Sequence, residues 1–239
     1  MPERLLPLLD RCSQIQDHSR FDRALTRAPS SGGIEAVTQG HLLVLEGPDG
    51  VGKSSTVRGV AERLRSLAIR HSVLAFPGRE PSTLGKLVYE IHHDPKCFGI
   101  EGMAEAAKQA LHIAAHLDAI ERRIGPLLNE GEHVLLDRFW WSTWVYGVIG
   151  GVSMNVLEAL IEAERIQWGS IQPSLVVLLD RDGPIERDED MNGWRRIRAE
   201  YLTLASKEKD RYPVEVVQNT GIAEQTVTRV VELALSRGF

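Results

Sequence analysis

Cysteine is scarce in this chain of 239 residues, and its scarcity excludes two kinds of chemistry. Cys12 and Cys97 show no metal-ligand spacing and cannot build a disulfide framework, which suits a reducing compartment. Long apolar runs are missing too: no stretch of about 18 apolar residues occurs, so no membrane span is expected. The first residues lack a basic segment followed by a long apolar one, and the expected location is the cytoplasm. Neither sign of charge is in large surplus. The formal net charge is −5 with acids and bases interspersed, which argues against a general nucleic-acid or membrane surface and leaves anion binding to local arginines. Internal repeats and low-complexity tracts are likewise absent.

What is present is organised around Gly47-Pro48-Asp49-Gly50-Val51-Gly52-Lys53-Ser54-Ser55. The stretch fits G-x-x-x-x-G-K-[ST], with the apolar run His41 to Glu46 before it and a helix-like segment after it. Its glycines open backbone conformations that turn successive N–H groups inward as a nest for phosphate oxygens. Lys53 is placed to reach β- and γ-phosphates, the Ser54 hydroxyl suits Mg²⁺, and the positive end of the following helix adds to the field.

Residues 1–40 read differently from the remainder. A short apolar-sided segment around Leu5 to Ile15 leads into Arg27-Ala28-Pro29-Ser30-Ser31-Gly32-Gly33, which has linker composition. We therefore expect an accessory segment and linker over 1–40 and one domain over 41–239. In that domain, helical periodicity runs over Lys53–Ile69, Ser82–His92, Met103–Leu128, Trp141–Val148, Met154–Trp168, Asn192–Ala205 and Ala223–Ser236. Apolar strands fall at His41–Glu46, Ser72–Phe76 (expected to be buried), His133–Asp137, Leu175–Asp180 and Val214–Val217. The alternation predicts an α/β fold of the P-loop NTPase kind, a five-stranded parallel sheet with helices on both faces and ligands at the carboxyl ends of the strands.

Four groups fall at those ends: the phosphate loop; Phe76-Pro77-Gly78-Arg79-Glu80-Pro81; Asp137-Arg138-Phe139 with Ser142 and Tyr146; and Asp180 with the arginine-rich segment Arg181 to Arg198. Either Asp137 or Asp180 could be the second acid on the Mg²⁺ side, and Asp137 is preferred because Arg138 beside it can fork onto a phosphate. His112 and His116, at i, i+4 spacing, are read as a polar pocket lining, with metal binding and no function as the alternatives. Trp140, Trp141 and Trp144 are expected to pack a helix onto the core.

Taken together and in this order, these motifs resemble the thymidylate kinase family of nucleoside monophosphate kinases over about residues 41–239. The resemblance implies ATP as donor, Mg²⁺ as cofactor, a nucleoside monophosphate as acceptor (dTMP first) and a homodimer. It implies that Gly47, Asp49, Gly50, Val51, Gly52, Lys53, Ser54 and Ser55 hold the donor, and that Ser54 and Asp137 hold the metal. Phe76, Arg79, Arg138, Ser142, Tyr146, His112, His116 and Asp49 face the acceptor. Because Gly50 and Val51 leave the phosphate loop without a basic residue, the charge-neutralising arginine moves to the lid, as Arg181 or Arg187. Three features depart from the pattern. The long helix offers Ile113 and Leu117, with His112 and His116 beside them, where the family has a stacking aromatic and an arginine. Gly147 follows Tyr146, and the lid from Asp180 to about Trp194 is short.

Competing classes are a kinase of another acceptor, a guanine-nucleotide switch and a non-catalytic nucleotide binder. The switch would need an N-K-x-D segment after a strand, and the sequence has none. Lys53→Ala is expected to abolish phosphoryl transfer while leaving the circular-dichroism spectrum unchanged; undiminished turnover would refute the phosphate-loop mechanism.

Overall fold

The computed structural model describes residues 39–185 and 190–239. The accessory segment and linker, apart from Gln39 and Gly40, and the lid residue Arg187 lie outside the described residues.

The chain runs β1 (Leu42–Glu46), α1 (Lys53–Ser66), β2 (His71–Ala75), α2 (Leu84–His93), α3 (Glu105–Ala119), α4 (Gly125–Asn129), β3 (His133–Asp137), α5 (Trp140–Ile149), α6 (Met154–Trp168), β4 (Leu175–Asp180), α7 (Met191–Glu208), β5 (Val214–Gln218) and α8 (Ala223–Leu235). All pairings are parallel and the strand order is β2-β3-β1-β4-β5. β1 therefore lies at the centre, which is why its run Leu-Leu-Val-Leu shows no polar alternation: both faces are covered. Leu42 and Val44 pack with Trp141, Ile161 and Tyr201 on one face. Leu43 and Leu45 pack with Val60, Leu64 and Val230 on the other. The expected tryptophan packing holds, since Trp140 and Trp141 are core residues and Trp144 lies against them.

Three expectations are corrected. β2 is not buried: it is the sheet edge, pairs only with β3, and leaves Val73 41% exposed. α1 stops three residues early, because Ala68 takes a left-handed conformation (φ 58°) and the Ile69 N–H bonds Leu64 O, closing the helix without a glycine. The long helical segment contains a π turn at Ile120–Ile124, where the Gly125 N–H bonds Ile120 O. The wider turn sits directly before Pro126, which has no N–H to give and crowds the preceding carbonyls of a regular helix.

Gly85, in the first turn of α2, is pressed against the Phe76–Gly78 turn. A Cβ there would lie 1.9 Å from Pro77 O and 2.8 Å from Gly78 Cα. Gly85→Ala is therefore expected to cost roughly 2 kcal/mol and lower the melting temperature by several degrees; an unchanged melting curve would contradict this packing.

Candidate active site

Everything chemical gathers at the carboxyl ends of β1, β2 and β3. Glu46, the last residue of β1, has no solvent exposure. Its carboxylate accepts from the Gly47 N–H (3.2 Å), the Phe139 N–H (2.7 Å), the Ser142 N–H (3.1 Å) and the Ser142 hydroxyl (3.0 Å). Burial pushes its pKa up, against Arg138, Lys53 and these donors. The phosphate loop and the start of α5 are thereby tied to one side chain.

Lys53 lies back along the loop, donating to Gly47 O at 2.7 Å and Pro48 O at 2.9 Å, 3.6 Å from Asp49 Oδ1. Burial first, and Arg138 next, bring its pKa down to about 8. Gly50 and Gly52 have φ of 78° and 89°, and a Cβ on Gly50 would meet Pro184. The chain returns here: the Ile185 N–H bonds Gly50 O at 2.8 Å, Asn219 Nδ2 donates to Val51 O, and the Trp194 indole donates to Asp49 O.

Arg138 also has a left-handed backbone (φ 75°), fixed by its N–H to Leu45 O. Its guanidinium bonds Asp49 Oδ1 and the Ser142 hydroxyl, and the Tyr146 hydroxyl donates to Asp49 Oδ2 at 2.8 Å. Burial opposes the guanidinium charge, but the oxygens of Tyr201, Asp49, Tyr146 and Glu46 outweigh it and the pKa moves up. For Asp49, burial is likewise overcome by Arg138 and Lys53, and its pKa moves down. Asp49, Arg138, Ser142 and Tyr146 are thus brought together.

They stand at one end of a cleft of about 620 Å³ whose walls also include Phe76, Arg79, His112 and His116. Arg79 lies over the Tyr89 ring at 5.4 Å. The histidines, not the aliphatic residues beside them, face this cleft, because Ile113 is buried and Leu117 packs on the core. Gly147 is explained by packing: a Cβ there would lie 2.4 Å from Leu157 Cδ2.

Ser54 and Asp137 line a neighbouring hollow, and Asp137 Oδ1 is a buried oxygen with no hydrogen-bond partner. A hydroxyl and an unsatisfied carboxylate oxygen suit a small hard cation such as Mg²⁺, which keeps most of its water and takes few protein ligands. The alternative acid Asp180 is committed elsewhere, to Arg198 (2.6 and 2.8 Å) and Gln218. Arg181 donates to Gly183 O and Asn219 O. Among the described residues no group of three or more His, Cys, Asp or Glu side chains is placed to hold a metal, so the histidine pair gains no support as a metal site.

A phosphate loop on the central strand, facing an arginine-lined cleft built from the next two strands, defines a P-loop nucleoside monophosphate kinase. A family model described as thymidylate kinase matches residues 45–224. Thymidylate kinase of Alcanivorax borkumensis is 31% identical over 207 residues, covering 81% of this chain and 96% of the relative. That of Deinococcus radiodurans is 34% identical over 192 residues, covering 74% and 89%. In fold, the crystal structure of thymidylate kinase from Ehrlichia chaffeensis aligns with a TM-score of 0.66 at 20% identity, covering 82% of this chain and 99% of that one. The chain belongs to the thymidylate kinase family.

Inspection of the residues alone missed Glu46, Tyr201 (whose hydroxyl bonds Ser142 Oγ at 2.9 Å) and Glu164. Glu164 had a visible signal. Leu157, Ile161, Glu164 and Trp168 form one buried stripe of α6, so an acid stands on an apolar face.

His112 is pushed down to about 3, by burial and then by His116 and His92. Its ring is therefore expected to stay neutral from pH 5 to 8. The unfolded chain takes up that proton below its ordinary value near 6.5, so stability falls as pH drops through 6 toward 4. A His112 ring resonance that titrates near pH 6.5 in NMR would contradict this.

Proposed function

We propose that this chain transfers the γ-phosphoryl group of ATP to dTMP, giving dTDP and ADP. The observation that carries the reading is Asp49: a residue of the phosphate loop whose carboxylate is held by Arg138 and Tyr146 of the cleft, so donor and acceptor sites meet at one side chain.

In this reading the loop N–H groups and Lys53 cradle the donor phosphates, and the ammonium leaves Gly47 O and Pro48 O to do so. Arg138 and Arg79 hold the acceptor phosphate in line with the donor. Both guanidiniums act by position and charge, which is what a loose phosphoryl-transfer transition state requires. Ser54 and Asp137 would hold Mg²⁺, which supplies charge neutralisation of the phosphates. Arg181 and Arg187 are the lid arginines available to the transferred group. Phe76, His112 and His116 form the base end of the cleft. We read residues 41–239 as the catalytic domain and 1–40 as an accessory segment. We also read the protein as cytoplasmic and as a homodimer; no helix among the described residues is long and apolar enough to cross a membrane.

The test is ADP release with ATP and Mg²⁺ against a panel of nucleoside monophosphates and a no-acceptor control. Turnover is expected with dTMP first, and Arg138→Met should lower kcat by roughly 100-fold or more with dTMP. ATP binding without turnover of any monophosphate would overturn the assignment.

A further inference from the structure

The buried pair His116–Glu164 is unlike the other ion pairs of the fold. His116 is 2% exposed and Glu164 not at all, and His116 Nδ1 lies 2.7 Å from Glu164 Oε2. The other carboxylate oxygen accepts from the Trp168 indole at 3.1 Å. Among the described residues no other cation lies within ion-pair distance of Glu164, since Arg165 beside it is given to Glu208. The imidazole is clamped from the other side by Phe76, stacked at 3.9 Å and 11°.

A buried carboxylate with one neighbouring base is stable when the pair as a whole carries no charge. Two proton arrangements satisfy that: imidazolium with carboxylate, or neutral imidazole with carboxylic acid. In both, one proton occupies the Nδ1–Oε2 hydrogen bond and a second sits on Nε2. Only a net-negative pair would leave Nε2 bare. Nε2 has no partner among the described residues, yet it is not a sealed atom: Asp137 Oδ1 is the side-chain polar atom found buried and unpartnered there. Because His116 lines the cleft, Nε2 opens into it.

We infer that Glu164 is a positioning residue that holds His116 as a fixed N–H donor at the end of the cleft, selecting acceptors that present a carbonyl oxygen over those that present an amino group. The consequence is discrimination of dTMP from dCMP by one hydrogen, because a donor facing an amino group leaves both unpaired. The specificity claim rests on the cleft being the acceptor site proposed above. The protonation claim does not.

The experiment has two arms on the full chain. In the first, long-range ¹H–¹⁵N spectra of histidine-labelled protein, assigned by the loss of signals in His116→Gln, report the state of each ring nitrogen at neutral pH. A protonated-type Nε2 is expected in the wild type. It should persist in Glu164→Gln, whose amide can keep Trp168 on its oxygen and donate to Nδ1. In the second, KM and kcat are measured for dTMP and dCMP. His116→Phe keeps the stack on Phe76 and removes the donor; it should raise the KM for dTMP roughly 10- to 100-fold with little change in kcat, and narrow the dTMP-to-dCMP preference equally. Glu164→Gln should stay within about threefold of the wild type and Glu164→Leu should resemble His116→Phe.

An unprotonated Nε2 in the wild type, or an intact dTMP-to-dCMP preference in His116→Phe, would overturn the inference. Should the wild type phosphorylate neither nucleotide, the proposed function fails and the specificity claim with it, while the spectra still decide the donor state. Should Glu164→Leu not fold, the spectra and the other two variants decide the matter.

Discussion

A carboxylate at the end of the central strand accepts from three backbone N–H groups and one hydroxyl, drawn from the phosphate loop and from the start of α5. Glu46 is fully buried, and burial alone would favour its neutral form. It is held instead by N–H groups of the phosphate loop and of the first turn of α5, with Arg138 and Lys53 close enough to act on its charge. Removing it would leave those N–H groups buried without an acceptor, at roughly 1–3 kcal/mol each. The phosphate loop and the start of α5 are joined through this one residue.

Arg138 shows how the constraint is used. Its N–H is bound to β1 and the next residue's N–H to Glu46, so the residue between adopts a left-handed conformation that a non-glycine side chain rarely takes. That conformation aims the guanidinium at Asp49 and Ser142. The strain thus falls on the residue whose guanidinium it fixes in place, as expected of a preorganised electrostatic site. Arg138 and Lys53 hold the Asp49 pKa down, and the lysine itself donates to Gly47 O and Pro48 O, so the charges beside the loop are already arranged against one another.

Much of this could be read from residues alone, and the reasons differ by element. β1, β3 and β4 are continuous apolar runs between helical stretches, so their existence and parallel direction followed from pattern. The edge position of β2 did not, because Ser72 to Phe76 has the same apolar run whether one face or two are covered. The end of α1 was hidden because an alanine does the work usually given to glycine, and the π turn because the four-residue spacing of Ile120, Ile124 and Leu128 also fits an ordinary helix. In the site, the phosphate loop and the Asp137-Arg138 pair were legible as local motifs. Glu46 and Glu164 were not, because each acquires its meaning from partners far along the chain: Phe139 and Ser142 for one, His116 for the other.

The two buried carboxylates are satisfied in different ways. At the phosphate end, Glu46 is satisfied largely by backbone N–H groups, which exist whatever side chains surround them. Glu164 is satisfied by the side chains of His116 and Trp168, so its environment depends on which residues stand at those two positions. The His116 imidazole has the Glu164 carboxylate on its Nδ1 and the flat Phe76 ring against its face. The acid on the apolar stripe of α6 and the Phe76 ring are both joined to His116, so substitutions among the three are expected to be non-additive.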